Sequence, residues 1–153
     1  MNTPLVFRSM TLQDIPAVSR IEAAASQHPW KEKHYIDSLE SGHICQVAEL
    51  NGEIVGQGVV MTVADEASLL ILTVAKEHHG KGVGYEIVEH LSDLASDSCD
   101  TFFLEVRESN NAAFNLYLKT GFSEVGRRAN YYPATQHSTS EDAIIMIRDL
   151  SFN

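Results

Sequence analysis

The stretch LLILTVAKEHHGKGVG, residues 69–84, joins an apolar run to three glycines at alternating positions. The run from Leu69 to Val74 is typical of a buried strand, and the periodic apolar residues from Tyr85 to Ala95 predict a helix. Glycines lack a Cβ and let an anion approach the main chain, while the N–H groups at a helix start favour negative charge. This strand, glycine loop and helix start therefore predict a binding site for a phosphorylated cofactor.

The glycine loop does not match the better-known phosphate-binding motifs. A P-loop requires glycine where Ala75 stands and serine or threonine after its lysine, whereas Gly82 follows Lys81. A dinucleotide fingerprint requires a further glycine or alanine at a spacing that the sequence does not complete. The loop does resemble the R/Q-x-x-G-x-G/A motif by which GCN5-related N-acetyltransferases hold the pyrophosphate of acetyl-CoA, with Gly82 and Gly84 in register and His79 departing at the first position. Taken alone, it is equally compatible with a plain tight turn.

Length and composition predict one compact domain spanning residues 1–153. The chain has 153 residues, of which 44% are hydrophobic and 21% are charged, an ordinary globular composition. No apolar run approaches the roughly 20 residues of a membrane helix, and residues 1–4 lack the features of a signal peptide, so we expect a cytoplasmic protein without membrane contact. Cys45 and Cys99 have no neighbours at chelating spacing, so we expect no metal site.

The charge of the chain indicates a basic partner. Its formal net charge of -10 argues against binding a nucleic acid backbone and suits a basic or cationic substrate. Several of the few cations cluster at the glycine loop, where phosphates are expected. They are Lys76, His78, His79 and Lys81. The acidic surplus is also compatible with an ordinary solvated surface.

The order of predicted elements indicates an α+β fold. Helices are predicted at residues 11–25, 31–39, 85–95 and 110–120. Strands are predicted at residues 5–8, 44–49, 54–63, 67–74, 101–106, 122–132 and 143–150. Asn51-Gly52 predicts a hairpin turn between the second and third strands, and the crossover through the third helix requires a parallel, right-handed connection. We therefore predict a mixed, mostly antiparallel, twisted sheet of about seven strands with four helices.

A second motif lies between Glu105 and Phe122. Residues 105–117 read EVRESNNAAFNLY, and Gly121-Phe122 follows. This resembles the E-V-R-x-S-N-x-x-A-x-x-L-Y-x-x-x-G-F pattern of bacterial ribosomal-protein N-terminal alanine acetyltransferases of the RimI type, within the GCN5-related (GNAT) superfamily. Three further motifs of that family occur in the same order, at residues 28–30, 130–133 and 141–146. The resemblance covers nearly the whole chain and implies the GNAT fold, with a cofactor cleft between the two central strands.

The resemblance assigns catalysis to Glu105 and Tyr117. It implies direct transfer without a covalent enzyme intermediate, with Glu105 as base and Tyr117 as the acid that protonates the departing thiolate. Because an apolar strand precedes Glu105, we expect its carboxylate at a cleft mouth with limited solvation; the alternative is an ion pair with Arg107 on the same strand face. Asn110 and Tyr117 are close to two helical turns apart and can face one ligand, although Tyr117 also suits an ordinary core position.

The resemblance also assigns the binding residues. Acetyl-CoA, as cosubstrate, is expected to contact Leu72, Thr73, Val74, Gly80, Lys81, Gly82, Val83, Gly84, Tyr85 and Asn110. The strand edge would pair with the pantetheine arm through main-chain hydrogen bonds, and Tyr85 stands where the family often has a basic residue. Trp30, Tyr131 and Tyr132 are expected to grip the first residues of a peptide, with hydrophobic packing as the alternative for each.

The implied reaction is acetylation of a protein N-terminal α-amine, with the N-terminal alanine of small-subunit ribosomal protein eighteen as the expected substrate. An α-amine, of pKa about 7.7–8.0, is partly neutral near pH 7, whereas a lysine side chain, of pKa about 10.4, is not. One alternative is an acetyltransferase of the same fold acting on a small amine or a lysine side chain, and another is a non-catalytic CoA-binding module. We expect a monomer.

Overall fold

The computed structural model describes residues 4–151 and contains seven strands and four helices. The strands are β1 (Val6–Ser9), β2 (Ile44–Leu50), β3 (Glu53–Val63), β4 (Glu66–Val74), β5 (Thr101–Arg107), β6 (Ser123–Tyr132) and β7 (Glu141–Asp149). The helices are α1 (Ile15–Ala25), α2 (Glu32–Glu40), α3 (Val83–Ser96) and α4 (Asn111–Lys119). The predicted fold class and order of elements are confirmed, and the expectation about residues 1–3 lies outside the described residues. Within the described range, no helix has the length and apolar character needed to cross a membrane.

Helix α1 begins at Ile15 instead of residue 11, because residues 12–14 form a short 3-10 helix before it, and two further boundaries are wrong by two residues. Helix α3 begins at Val83 rather than Tyr85, because Gly82 takes a left-handed φ of 82° and turns the chain directly into the helix. Strand β7 begins at Glu141, since this residue still pairs with Tyr132 of β6. As a result, Tyr85 belongs to the first turn of α3 rather than to the loop before it.

The strands form one sheet in the order β1-β2-β3-β4-β5-β7-β6. Neighbouring strands are antiparallel except β4 and β5, which are parallel and joined through α3, as the crossover predicted. The predicted hairpin also forms, with Asn51 at φ 54° and Gly52 at φ 79° between β2 and β3. Positive φ at both central residues is what a two-residue turn between twisted strands requires.

Strands β4 and β5 separate along their length. They pair only from Glu66↔Thr101 to Ser68↔Phe103. Beyond that point, β4 continues to pair with β3 as far as Val74, and β5 continues to pair with β7 as far as Arg107. A bulge bends β4 at the point of separation, since Val59 opposes Ile71 while Val60 opposes Leu69 and Leu70 is left over. The two central strands therefore enclose a cleft, as the resemblance implied.

Helices cover both faces of the sheet. One core cluster contains the apolar face of α3, including Ile87 and Leu91, and the other contains residues of α1 and α2, including Val18 and Tyr35. Glycine at residue 56 brings α3 close to β3, because a Cβ there would lie 2.7 Å from Ile87 Cδ1 and 2.9 Å from the Thr73 oxygen. This close packing fixes the start of α3 beside the end of β4.

Candidate active site

The cleft between the separated ends of β4 and β5 holds a cavity of about 590 Å³. Its wall combines the end of α1 and the segment after it with strands β4 and β5, His79, residues of α4 and of the segment before it, and one residue of β6. The lining residues are Glu22, Ala25, Ser26, Gln27, His28, Leu69, Leu70, Ile71, Leu72, Thr73, Val74, His79, Leu104, Glu105, Val106, Arg107, Ser109, Asn110, Ala113, Tyr117 and Tyr132. The cavity thus brings together both predicted catalytic residues, the predicted strand edge and two other predicted contacts, Asn110 and Tyr132.

The edge of β4 offers main-chain groups to the cavity at alternate residues. The Ala75 N–H donates to the Val55 oxygen at 2.8 Å, so the main chain of Ala75 faces β3. Because main-chain groups alternate in direction along a strand, those of Val74 and Leu72 face away from β3, towards the cleft. His79 agrees with this, since its Nε2 lies 2.8 Å from the Val74 oxygen, which can only accept.

Thr73, predicted with its two neighbours as a strand-edge contact, is placed differently. By the same alternation its main chain faces β3, where it pairs with Gln57. Its hydroxyl is buried, accepting a hydrogen bond from Gln57 Nε2 at 2.8 Å and donating one to Glu22 Oε1 at 2.8 Å. The side chain of Thr73 therefore forms hydrogen bonds with residues of β3 and α1.

The glycine loop is open. Gly80 and Gly82 have φ of 76° and 82°, and a Cβ at either would meet no atom within 4 Å. In the described structure, the main-chain N–H groups of residues 81–85 donate no well-aligned hydrogen bond, and no side chain caps α3. Unsatisfied N–H groups at the start of a 14-residue helix fit the binding of phosphate groups. Residues 80–85 do not line the cavity. His79, just before them, is the residue of this loop that does.

Glu105 lies on β5 with its side chain on the face opposite the buried Leu104 and Val106. Its Oε1 lies 3.6 Å from Nε of Arg128, and its side chain is 30% exposed to solvent. Arg107 instead pairs with Glu141, at 3.3 Å. The alternative ion pair between Glu105 and Arg107 is therefore wrong, because partners on β6 and β7 engage both side chains.

Tyr117 is buried and also lines the cavity. Its ring meets the ring of Phe122 edge-on, with centroids 5.7 Å apart. Burial raises the pKa of the Tyr117 phenol, and the nearby Tyr132 adds to the rise. The phenol therefore keeps its proton at neutral pH, and any role as an acid depends on close placement at the proton acceptor.

Asn110 is the N-cap of α4 and also lines the cavity. Its side-chain oxygen accepts a hydrogen bond from the Ala113 N–H at 3.1 Å, which satisfies one of the free N–H groups of the first turn. The cap fixes the first turn of α4, and Tyr117 follows two turns later on the same helix.

The three predicted peptide-binding aromatics occupy different positions. Tyr132 lines the cavity, with the Arg107 guanidinium 4.0 Å from its ring centre, and burial together with the charge of Glu105 raises its pKa. Tyr131 is half exposed and contacts Tyr132 edge-on at 5.2 Å. Trp30 packs against the Tyr35 ring at 5.1 Å. Neither Tyr131 nor Trp30 belongs to the cavity lining, and their contacts with a peptide stay predictions.

Glu22 is a site residue that the sequence analysis missed. It lies one helical turn after Val18 on the buried face of α1, and it is only 4% exposed although it lines the cavity. Burial raises its pKa, an effect that hydrogen bonds from Thr73 and the Trp30 N–H partly offset. The available signal was the i, i+4 spacing from Val18, which places a carboxylate on an apolar helix face.

Comparison with known proteins identifies close relatives over the full length of the chain. The acetyltransferase (GNAT) family matches residues 12–122. The chain is 37% identical over 152 residues, 99% of each chain, to the ribosomal protein bS18 alanine N-acetyltransferase of Escherichia coli (strain K12). It is 34% identical over 134 residues to the Haemophilus influenzae protein of the same name, covering 87% of this chain and 90% of that one. The crystal structure of the ribosomal-protein-S18-alanine N-acetyltransferase from Escherichia coli matches with a TM-score of 0.88 and 34% identity, over 97% of this chain and 95% of that one.

Proposed function

The chain belongs to the acetyltransferase (GNAT) family, and on this premise we propose that it acetylates the N-terminal alanine of ribosomal protein bS18, with acetyl-CoA as the acetyl donor. The observation that carries the proposal is the single cavity shared by Glu105, Tyr117 and the unpaired edge of β4. An unpaired strand edge can bind the molecule that contains the thioester. A carboxylate can accept, and a protonated phenol can donate, the protons that move when the acetyl group is transferred to an amine.

The chain has suitable groups for both ends of acetyl-CoA. When bound, acetyl-CoA supplies an activated acetyl group as a thioester. The open main-chain N–H groups of residues 81–85 would hold its phosphates, with Gly80 and Gly82 giving access to the main chain. The main-chain groups of Leu72 and Val74 would pair with the pantetheine arm, and Asn110 would contact it from the start of α4.

Glu105 and Tyr117 each take part in one of the two proton transfers of the proposed reaction. Glu105 accepts the proton that the amine nitrogen loses as its bond to the acetyl carbon forms. Tyr117 donates its phenolic proton to the sulfur as the carbon–sulfur bond breaks, and both residues return to their starting states by exchange with solvent. A main-chain N–H at Leu72 or Val74 would donate to the acetyl oxygen, where negative charge develops.

The substrate assignment follows from relatives of matching length. The proteins from Escherichia coli and Haemophilus influenzae are both named for the alanine of bS18, and the first of them aligns over 99% of both chains. An α-amine demands little of Glu105, because a fraction of it is already neutral near pH 7. A net charge of -10 also favours a basic peptide over a nucleic acid as the partner.

Mass spectrometry of peptide products tests this function. The purified protein is incubated with acetyl-CoA and a peptide that has the N-terminal sequence of bS18, beginning with alanine. We expect the gain of one acetyl group at the α-amine, located by fragmentation. A peptide whose α-amine is blocked serves as the control and is expected to gain nothing.

The same assay separates the alternatives. Acetylation of lysine side chains in the blocked peptide, together with an unmodified α-amine in the unblocked peptide, would contradict the N-terminal assignment. Binding of CoA by calorimetry without any product from the peptide or from small amines would instead indicate a CoA-binding module without this activity.

A further inference from the structure

A closed ring of contacts lies on the α1 and α2 side of the cavity, and two of its members, Glu22 and Thr73, also line the cavity. The Thr73 hydroxyl donates to Glu22 Oε1 at 2.8 Å, and the Trp30 main-chain N–H donates to Glu22 Oε2 at 3.1 Å. Gln57 Nε2 donates both to Thr73 Oγ1 at 2.8 Å and to the Tyr35 hydroxyl at 3.2 Å. The Tyr35 ring packs against the Trp30 ring at 5.1 Å and closes the circle.

This ring joins two parts of the cavity wall that are far apart in sequence. Thr73 lies on β4 between Leu72 and Val74, whose main chains face the cleft. Trp30 ends the segment after α1, and residues 26–28 of that segment line the cavity from the other side. Glu22 is the group that touches both parts, because each of its carboxylate oxygens accepts from one of them.

We propose that Glu22 is a positioning residue, which couples the edge of β4 where the cofactor is proposed to bind to the segment of residues 26–30, of which residues 26–28 line the cavity. Binding of CoA along β4 then fixes the geometry of that segment through Thr73 and Glu22. This inference deepens the proposed function and rests on it for the identity of the bound molecule.

The chemistry of the ring explains why a carboxylate stands at this point. Two donors from different elements meet at Glu22, and a carboxylate can accept from both, whereas the amide of glutamine has one acceptor oxygen. Residues 22, 35, 57 and 73 are all buried, so the loss of one of these hydrogen bonds leaves a polar group of low solvent exposure without its partner.

Trp30 provides a direct readout, since it is the one tryptophan in the sequence. CoA is titrated into the wild-type protein, Thr73→Val and Thr73→Ser, with Trp30 fluorescence and calorimetry followed in parallel. We expect CoA to change the Trp30 emission in the wild type and in Thr73→Ser, which keeps the hydroxyl. In Thr73→Val the emission change is expected to disappear, while the CoA dissociation constant stays within about threefold because the main chain of β4 is unaltered.

Peptide kinetics supply the second measurement. We expect kcat to fall about tenfold in Thr73→Val and to stay within about twofold of wild type in Thr73→Ser, under conditions where all three proteins are folded. Should Thr73→Val fail to fold, Glu22→Gln takes its place and is expected to lose the emission change in the same way.

Three results would overturn the inference. They are an unchanged emission response in Thr73→Val, a Thr73→Ser variant as impaired as Thr73→Val, and a wild-type emission that CoA does not alter although calorimetry records binding. These results leave the proposed function intact. A protein that binds CoA and shows the expected emission pattern, yet does not acetylate the peptide, would contradict the substrate proposal alone. Absence of CoA binding in all three proteins would contradict both.

Discussion

At the scale of single residues, the two proposed catalytic groups experience opposite surroundings. Glu105 is partly exposed and faces Arg128, whereas Tyr117 is buried against Phe122. Burial raises the pKa of the Tyr117 phenol, which remains neutral and can donate a proton, whereas the Glu105 carboxylate lies open to a substrate at the cavity. The environments therefore match the two roles that we propose.

Replacing the proposed base tests its role directly. Glu105→Gln keeps the size of the side chain but cannot accept a proton, so we expect kcat for peptide acetylation to fall by roughly 10²–10⁴-fold. The matched control is Glu108→Gln, which alters an exposed carboxylate three residues away that pairs with Arg127 on the surface. CoA affinity, measured by calorimetry, is expected to be unchanged in both variants. A Glu105→Gln enzyme with wild-type kcat would exclude this residue as the base.

Removing one hydroxyl tests the proposed acid. Tyr117→Phe keeps the edge-on contact with Phe122, so the melting temperature is expected to stay near that of wild type. Because the phenolic proton is lost, we expect kcat to fall about 10²-fold with little change in CoA affinity. Stopped-flow detection of the released thiol measures this step. Equal rates in the variant and the wild type would show that Tyr117 is only a core aromatic.

At the scale of secondary structure elements, the loop between β4 and α3 forms the proposed phosphate site. Gly82 in the left-handed conformation directs the chain into α3, and the first N–H groups of that helix remain open. His79 meanwhile holds the oxygen of Val74 at the end of β4. One short segment thus connects the strand edge with the helix start, the two places where acetyl-CoA is proposed to bind.

Substitution of Gly82 separates backbone conformation from available space. Gly82→Ala introduces a Cβ that meets no neighbour, but a left-handed φ costs a non-glycine residue about 1–2 kcal/mol. We expect the dissociation constant of CoA to rise about tenfold, since 1.4 kcal/mol corresponds to that factor. Calorimetry measures this change.

Gly52→Ala is the matched control for that substitution. Gly52 has a φ of 79°, and a Cβ added there would also meet no atom within 4 Å, but this residue lies in the hairpin between β2 and β3. We expect a comparable loss of stability and no change in CoA affinity. Equal weakening of CoA binding by both substitutions would point to a general effect of stability instead of a phosphate site.

At the scale of the whole molecule, an ion-pair cluster secures the first edge of the sheet. Arg8 of β1 bonds to Asp14 at 2.7 Å, just before α1, and to Glu49 of β2 at 3.1 Å. Hydrogen bonds from Arg8 lower the pKa of Asp14 to about 2, from an ordinary value of 3.8. A lowered pKa in the folded state means that Asp14 adds stability above pH 3.8 and loses this contribution as the pH falls towards 2.

The acid stability of Asp14→Asn tests this assignment. Near pH 7 we expect a loss of about 1 kcal/mol in the free energy of unfolding, a modest figure because Arg8 is partly exposed and screened by solvent. The difference between variant and wild type should shrink from pH 4 to pH 2, where Asp14 itself becomes protonated. Urea unfolding at several pH values measures it. A difference that stays constant over this pH range would show that Asp14 acts through its shape or through the hydrogen bond that it accepts from the Thr11 N–H, and not through its charge.

The amino-acid sequence by itself determined the local features of this protein. The Asn51-Gly52 turn and the strand and helix around the glycine loop follow from backbone preferences and from apolar periodicity, which act over a few residues. The order of elements also followed, and with it the parallel crossover between β4 and β5. The motif from Glu105 to Tyr117 pointed to the family because its spacing is fixed within one strand and one helix.

Only the tertiary structure decided which groups meet across the fold. The pairing of Glu105 with Arg128, the burial of Glu22 against Thr73, and the place of Trp30 behind the cavity wall join residues from separate elements. The extent of the cleft was also decided by the tertiary structure, because it depends on where β4 and β5 stop pairing, which is after Ser68. Such contacts are fixed by the packing of helices on both faces of the sheet, and no short-range pattern in the sequence carries that information.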